Sequence, residues 1–201
     1  SWQPGETIVA SIGQGYIQAT PLQLAVMTSR LVNGGKAVSP WLSGISSMAQ
    51  HTRGDWPDLT FSEKNLAIIH DGMTRVVNHP RGTARGSIIS DPAYAMGGKT
   101  GTAQVKRITR ADRIEGVKNE DLEWRYRHHA LFVGYAPLNN PRYTCSVVVD
   151  HGGGGSAVAA PIARDILLET QKIDPASTPF LQAKYNQKPV TPYPASKSQS
   201  E

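Results

Sequence analysis

A single cysteine, Cys145, is present in this chain of 201 residues. No disulfide can close within the chain, and no cysteine cluster can hold a metal. Long apolar runs are also missing. No segment approaches the ~20 consecutive apolar residues of a membrane span, and no secretory leader is recognisable. The chain opens on Ser1-Trp2-Gln3-Pro4 rather than methionine, so it reads as starting inside a larger protein. Hydrophobic residues make up 39%, which is low for a compact domain and predicts that part of the chain stays unpacked. No internal repeat is visible. A strong charge excess is lacking too. The net charge is +5 with acidic residues interspersed, which reads as a solvated face, and no nucleic-acid partner is expected.

Local signals then order the chain. Thr20-Pro21 is an N-cap and first-turn pair. Leu22, Leu24, Ala25, Met27 and Leu31 continue it as a helix, and Gly34-Gly35 ends it. A short strand is expected from Val38 to Ile45, then a loop over 47–60. Ser62 and Glu63 open a second helix carrying Leu66, Ile69, Met73 and Val76, which stops before Pro80. Residues 78–93 read as irregular. Strand character runs from Ala95 to about Val105. Residues 106–127, with seven basic and five acidic side chains, form an exposed excursion. His129–Tyr135 and Tyr143–Val149 pair as a hairpin around Pro137–Pro141. A last helix opens at Pro161 and runs to about Lys172. The order predicts an α+β fold, an antiparallel sheet covered by helices. Residues 1–174 are expected to belong to one domain and 175–201 to a flexible tail rich in Pro, Ser, Gln and Lys.

The densest chemistry lies in Gly97-Gly98-Lys99-Thr100-Gly101-Thr102-Ala103. On a strand, Thr100 and Thr102 present both hydroxyls to one side. Gly101 between them lets a ligand approach the backbone, and Lys99 supplies a charge suited to a carboxylate. A phosphate-cradling loop would need glycine at the position held by Ala93, so that reading fails. The run Val147-Val148-Val149-Asp150 followed by Gly152-x-Gly154-x-x-Ala157 imitates a dinucleotide-binding turn. The acid at the expected spacing, Asp174, leads into the proline-rich tail rather than from a strand, so these glycines read as a strand-to-helix connection. His128 and His129 adjoin a strand and face opposite ways, so they read as structural. His151 reads as a solvated turn histidine and Cys145 as a small buried hydrophobe. Trp124 and Tyr126 either anchor the charged excursion or meet a partner. No metal and no cofactor is expected.

Several stretches together resemble the class B penicillin-binding proteins. They are Ala10-Ser11-Ile12-Gly13-Gln14-Gly15-Tyr16, Ala19-Thr20-Pro21-Leu22-Gln23-Leu24-Ala25, Asn33-Gly34-Gly35-Lys36, the Lys-Thr-Gly run, His129–Pro137 and Ala159-Ala160-Pro161-Ile162-Ala163. They cover residues 6–172 in the family's order, and the resemblance is nearest to the elongation D,D-transpeptidases of rod-shaped Gram-negative bacteria. It implies an incomplete serine β-lactamase/transpeptidase-like fold on the periplasmic side of the inner membrane, anchored by a segment upstream. It also implies a peptidoglycan D,D-transpeptidase that cross-links stem peptides through an acyl-serine and is acylated by β-lactams, with a polytopic membrane glycosyltransferase as partner. By the same resemblance Lys99, Thr100, Gly101 and Thr102 bind substrate, Lys99 and Thr102 act in catalysis, and the Thr102 N–H is an oxyanion donor. No serine in the chain is followed by lysine three positions on, or by asparagine two positions on. The family's nucleophile and its Ser-x-Asn motif are therefore lacking, and the isolated chain is expected to be inactive. The alternative from another class is a catalytically inactive scaffold of cell-wall assembly.

Overall fold

The computed structural model describes residues 2–13, 17–40, 56–106, 114 and 116–175. The predicted tail beyond 175 lies outside them, as do residues 14–16 of the Ser-Ile-Gly-Gln-Gly stretch.

Helix α1 (Pro4–Ser11) was not expected from the sequence. Its signal is a local one: Pro4 occupies the first turn, and the Gln3 N–H donates to the carboxylate of Glu6. Helix α2 (Pro21–Val32) starts where Thr20 predicts. The Thr20 hydroxyl accepts from the Gln23 N–H at 3.2 Å, and the Gln23 side chain accepts from the Thr20 N–H at 2.8 Å. This reciprocal box satisfies two donors the helix cannot satisfy itself. Gly34 and Gly35 follow at φ +85° and +83°.

The expected strand at 38–45 is corrected over its described part. Residues 38–40 are not in a strand. The Ala37 N–H donates to Pro57 O, the Val38 N–H folds back onto Lys36 O, and only Lys36 and Asp58 pair across. Pro40 brings no N–H to extend a ladder. Residues 41–45 lie outside the described residues.

Helix α3 (Glu63–Asn78) is capped by Ser62, whose hydroxyl accepts from the Asn65 N–H, and it ends at His79 before Pro80. Three strands follow: β1 (Gly97–Ala103), β2 (His129–Ala136) and β3 (Tyr143–Val149). They form one antiparallel sheet in the order β1-β2-β3, the α+β arrangement the sequence predicts. Helix α4 (Ala160–Ile173) closes the described fold. It was expected to open at Pro161, but winding begins earlier, in a wide π-type turn over Gly155–Ala159.

The register sets the two faces. Ala130, Phe132 and Val147 lie on one face and are buried with Ala160, Ala163 and Leu167 of α4. On the other face the Tyr135 hydroxyl meets Thr74 of α3 at 3.1 Å, and Ser29 of α2 meets Thr144 at 2.8 Å. Burial pushes the Tyr135 phenol upward, against a hydrogen bond from Thr74 that lowers it.

Candidate active site

The Lys-Thr-Gly run is β1, an edge strand of the described sheet. Gly98 permits it there, because a side chain would collide with the Phe132 ring and the Val133 carbonyl. Thr100 is opposite Phe132 and Thr102 opposite Ala130, so the two hydroxyls share a face, while Lys99, opposite Val133, starts from the other. Thr102 and Lys99 are exposed and Thr100 is half-buried.

The backbone edge can be assigned as well. The N and O of Gly101 and the O of Leu131 converge beside Gly155, which places the polar groups of Gly101 on the β2 side. In an antiparallel ladder alternate residues turn their N–H and C=O to opposite edges. Thr100 and Thr102 therefore turn theirs to the open edge. The Thr100 carbonyl accepts from Lys99 Nζ at 2.7 Å, which brings the ammonium round to the edge to which the Thr102 N–H turns. Lys99, Thr100, Gly101 and Thr102 are thus consecutive in a strand that no described strand covers on its outer side, with the backbone groups of Thr100 and Thr102 turned outward and those of Gly101 turned to β2.

Gly155 holds that edge from behind. A side chain there would drive into the backbones of Leu131 and Gly101. The glycine run after β3 is therefore a seat for β1, a role the sequence did not disclose. The charged excursion is tied to the same place. The Asn119 side-chain oxygen accepts from the His128 N–H at 2.8 Å, and the Gly153 N–H donates to His128 O at 2.8 Å. Residues 107–113 and 115 of the excursion lie outside the described residues.

The histidines are built into this base. His128 is buried, with Nδ1 accepting from the Val105 N–H at 3.3 Å. His129 Nδ1 accepts from the His151 N–H at 2.9 Å. His151 is not the solvated turn residue expected. Its ring packs between Trp124 at 4.2 Å and His129 at 4.8 Å, because a φ of +57° folds it back onto the excursion. Trp124 is thereby a local anchor, and Tyr126 stacks on Arg125. Cys145 is half-buried against the core, and burial pushes its thiol up to about 11. Among the described residues no group of three His, Cys, Asp or Glu side chains could hold a metal. No described helix is long and apolar enough to cross a membrane.

Residues 1–168 match the family model of the penicillin-binding protein transpeptidase domain. The chain belongs to this family. It is 38% identical over 173 residues to the peptidoglycan D,D-transpeptidase MrdA of Haemophilus influenzae, covering 83% of this chain and 26% of that protein. Against MrdA of Acinetobacter baumannii it is 37% identical over 182 residues, covering 87% and 26%. Among solved structures it resembles penicillin-binding protein PBP2 of Pseudomonas aeruginosa in complex with WCK 5153, with a TM-score of 0.60 and 36% identity over 86% of this chain and 34% of that one. It also resembles PBP2 of Helicobacter pylori in a complex with MreC, at a TM-score of 0.66 and 29% identity, covering 85% and 28%. Both sequence and structure thus align this transpeptidase-family chain with the PBP2 (MrdA) type, and it spans about a quarter of the length of those curated relatives.

Proposed function

We propose that this chain is the Lys-Thr-Gly portion of a peptidoglycan D,D-transpeptidase of the elongation type, with residues 1–174 belonging to its transpeptidase domain and 175–201 a tail. The observation that supports this reading most is the edge of β1 left open among the described residues, where two hydroxyls, one ammonium and an outward-turned backbone N–H lie within four consecutive residues. A peptide ending in D-Ala-D-Ala adds to that edge as a further strand. Thr100 and Thr102 donate to its terminal carboxylate, and Lys99 supplies the complementary charge. The Thr102 N–H stabilises the oxyanion as the carbonyl becomes tetrahedral.

The nucleophile is a serine that this chain does not contain. Its oxygen attacks the carbonyl, the peptide C–N bond breaks, and D-Ala leaves as an amine carrying the proton. The amine of a second stem peptide then takes the acyl group. β-Lactams acylate the same serine. The domain acts on the periplasmic side of the inner membrane, anchored upstream, and works with a polytopic glycosyltransferase of the elongation machinery. The Helicobacter relative solved in complex with MreC shows a protein partner for that relative.

The test is Lys99→Ala in a full-length chain carrying this segment. It lowers benzylpenicillin acylation by about a hundredfold or more, since the charge-assisted contact to the substrate carboxylate is lost. Near-normal acylation overturns the assignment of Lys99. Thr102→Val does less damage, about tenfold, because the N–H remains and only one hydroxyl is lost. The isolated chain gains no covalent mass on incubation with benzylpenicillin. A stoichiometric adduct on one of its own serines would mean a nucleophile is present after all and favour a different mechanism.

A further inference from the structure

Beside the Lys-Thr-Gly edge lies a second concavity, and its lining is cationic. A groove of about 470 Å³ is bounded by Arg75, Val76, His79, Arg81, Gly82 and Thr83. No carboxylate lines it. Asp71 reaches Arg75 only at 3.7 Å, on an exposed turn of α3, and Arg81 has no ion-pair partner among the described residues. The Arg81 N–H donates to His79 Nδ1 at 3.1 Å, which leaves the proton of the neutral imidazole on Nε2.

This corner is held rigidly. Two carbonyls of the last turn of α3 are occupied, Arg75 O by the His79 N–H and Val76 O by the Ala84 N–H. Gly82 crosses so close to both carbonyls that no side chain fits there. The chain is thereby pressed against the end of α3, and the Thr83 hydroxyl comes to 3.4 Å from that of Thr100. The cationic groove and the hydroxyl row of β1 are continuous through this contact.

Position decides which substrate meets the groove. In transpeptidation the attacking amine enters where the leaving amine departed, because both stand in the same place relative to the acyl carbon. A site that flanks the leaving group's carboxylate, as Thr83 flanks Thr100, therefore faces the acceptor. We propose that the groove is a subsite for a carboxylate of the acceptor peptide, with Arg81 as its principal charge, Arg75 and His79 in support and Thr83 joining it to Thr100. This rests on the transpeptidase reading above. In the step it serves, the acceptor nitrogen bonds to the acyl carbon, the bond from that carbon to the serine oxygen breaks, and the amine proton passes to that oxygen. The groove takes no part in these bond changes. It raises the occupancy of the amine, and a guanidinium suits this because it grips a carboxylate through two parallel hydrogen bonds.

The experiment uses a full-length chain carrying this segment, a thioester donor, and one acceptor amine offered with its neighbouring carboxylate free or amidated. The readout is the partition of the acyl-enzyme between aminolysis and hydrolysis. The free carboxylate is the better acceptor in the unsubstituted enzyme. Arg81→Gln lowers its partition about tenfold, leaves the amidated acceptor unchanged and keeps benzylpenicillin acylation within about twofold. Arg81→Lys restores part of the preference. An unchanged partition in the double variant Arg75→Gln/Arg81→Gln overturns the proposal, as does an equal fall for the amidated acceptor. Slower acylation by the donor with an unaltered partition moves the subsite to the donor and also overturns it. Failure of the unsubstituted enzyme to be acylated by benzylpenicillin strikes the transpeptidase reading itself.

Discussion

Helices α2 and α4 both rest on the same small sheet, but they are buried to very different depths. In α4, Ala160 and Ala163 are 0% exposed and Leu167 1%. In α2 only Thr28 is buried, its hydroxyl donating to Leu24 O, while Leu22 is 59% and Met27 45% exposed. The small residues of α4 let it sit against Ala130 and Phe132, and Leu167 packs into the space left by Gly134. Helix α2 meets the sheet with half-buried residues such as Leu24, Ala25 and Val26 and through the polar Ser29–Thr144 contact. One side of the sheet has a closed core, and the other displays apolar surface on a helix with well-formed caps. Helix formation and helix burial are separable here. Caps and propensity place α2, whereas volume complementarity fixes α4.

Three changes test this contrast, the largest first. Leu167→Ala empties a site with no solvent access and costs about 2–5 kcal/mol of stability. Urea unfolding followed by circular dichroism reads it, and a loss below half a kilocalorie would place the core elsewhere. Next is the knot at the end of α4. Asp174 accepts from Arg142 at 3.0 Å and from the Tyr143 hydroxyl, and these partners hold its carboxyl below the usual range, the tyrosine hydrogen bond foremost. A carboxyl lowered on folding stabilises the fold above its unfolded value, and that stabilisation is lost as pH falls through the lowered folded value. Asp174→Asn, which tolerates the left-handed backbone at φ +46°, flattens the acid limb of the melting-temperature profile. An unaltered acid limb would show that the knot does not couple to folding. The smallest effect belongs to α2. Leu22→Ser changes stability by no more than about 0.5 kcal/mol and reduces self-association in analytical ultracentrifugation. A large loss of stability would make α2 part of the core.

The elements that could be read from sequence are those whose determinants lie within one turn or one ladder. Thr20-Pro21, Ser62-Glu63 and Gly34-Gly35 mark helix ends through hydrogen bonds to neighbours a few residues away. The hairpin strands follow from their apolar content and the turn between them. Gln3-Pro4-x-Glu6 is of the same kind, with Gln in the place that Ser or Thr more often takes. Val38 has the side chain of a strand residue, but its neighbours turn its N–H inward. At the candidate site, the sharing of one face by Thr100 and Thr102 is plain from their spacing. The seat formed by Gly155 and the approach of Thr83 are not, because the first is a backbone contact and the second a hydroxyl contact between residues well apart in the chain. Glycines separated by half a domain carry no local mark of their meeting.

The open edge of β1 has a consequence for how the protein behaves as a colloid. Unpaired N–H and C=O groups along an edge are a template on which a second copy can add, and natural sheets blunt such edges with lysine. Lys99, exposed and bent over the Thr100 carbonyl, occupies one of the acceptors that a foreign strand would use and sets like charges against each other when two edges approach. Its removal therefore unblocks self-pairing as well as the carboxylate contact. Light scattering belongs beside every activity measured on Lys99 variants, since a clumped preparation and a disarmed one lose turnover in the same way.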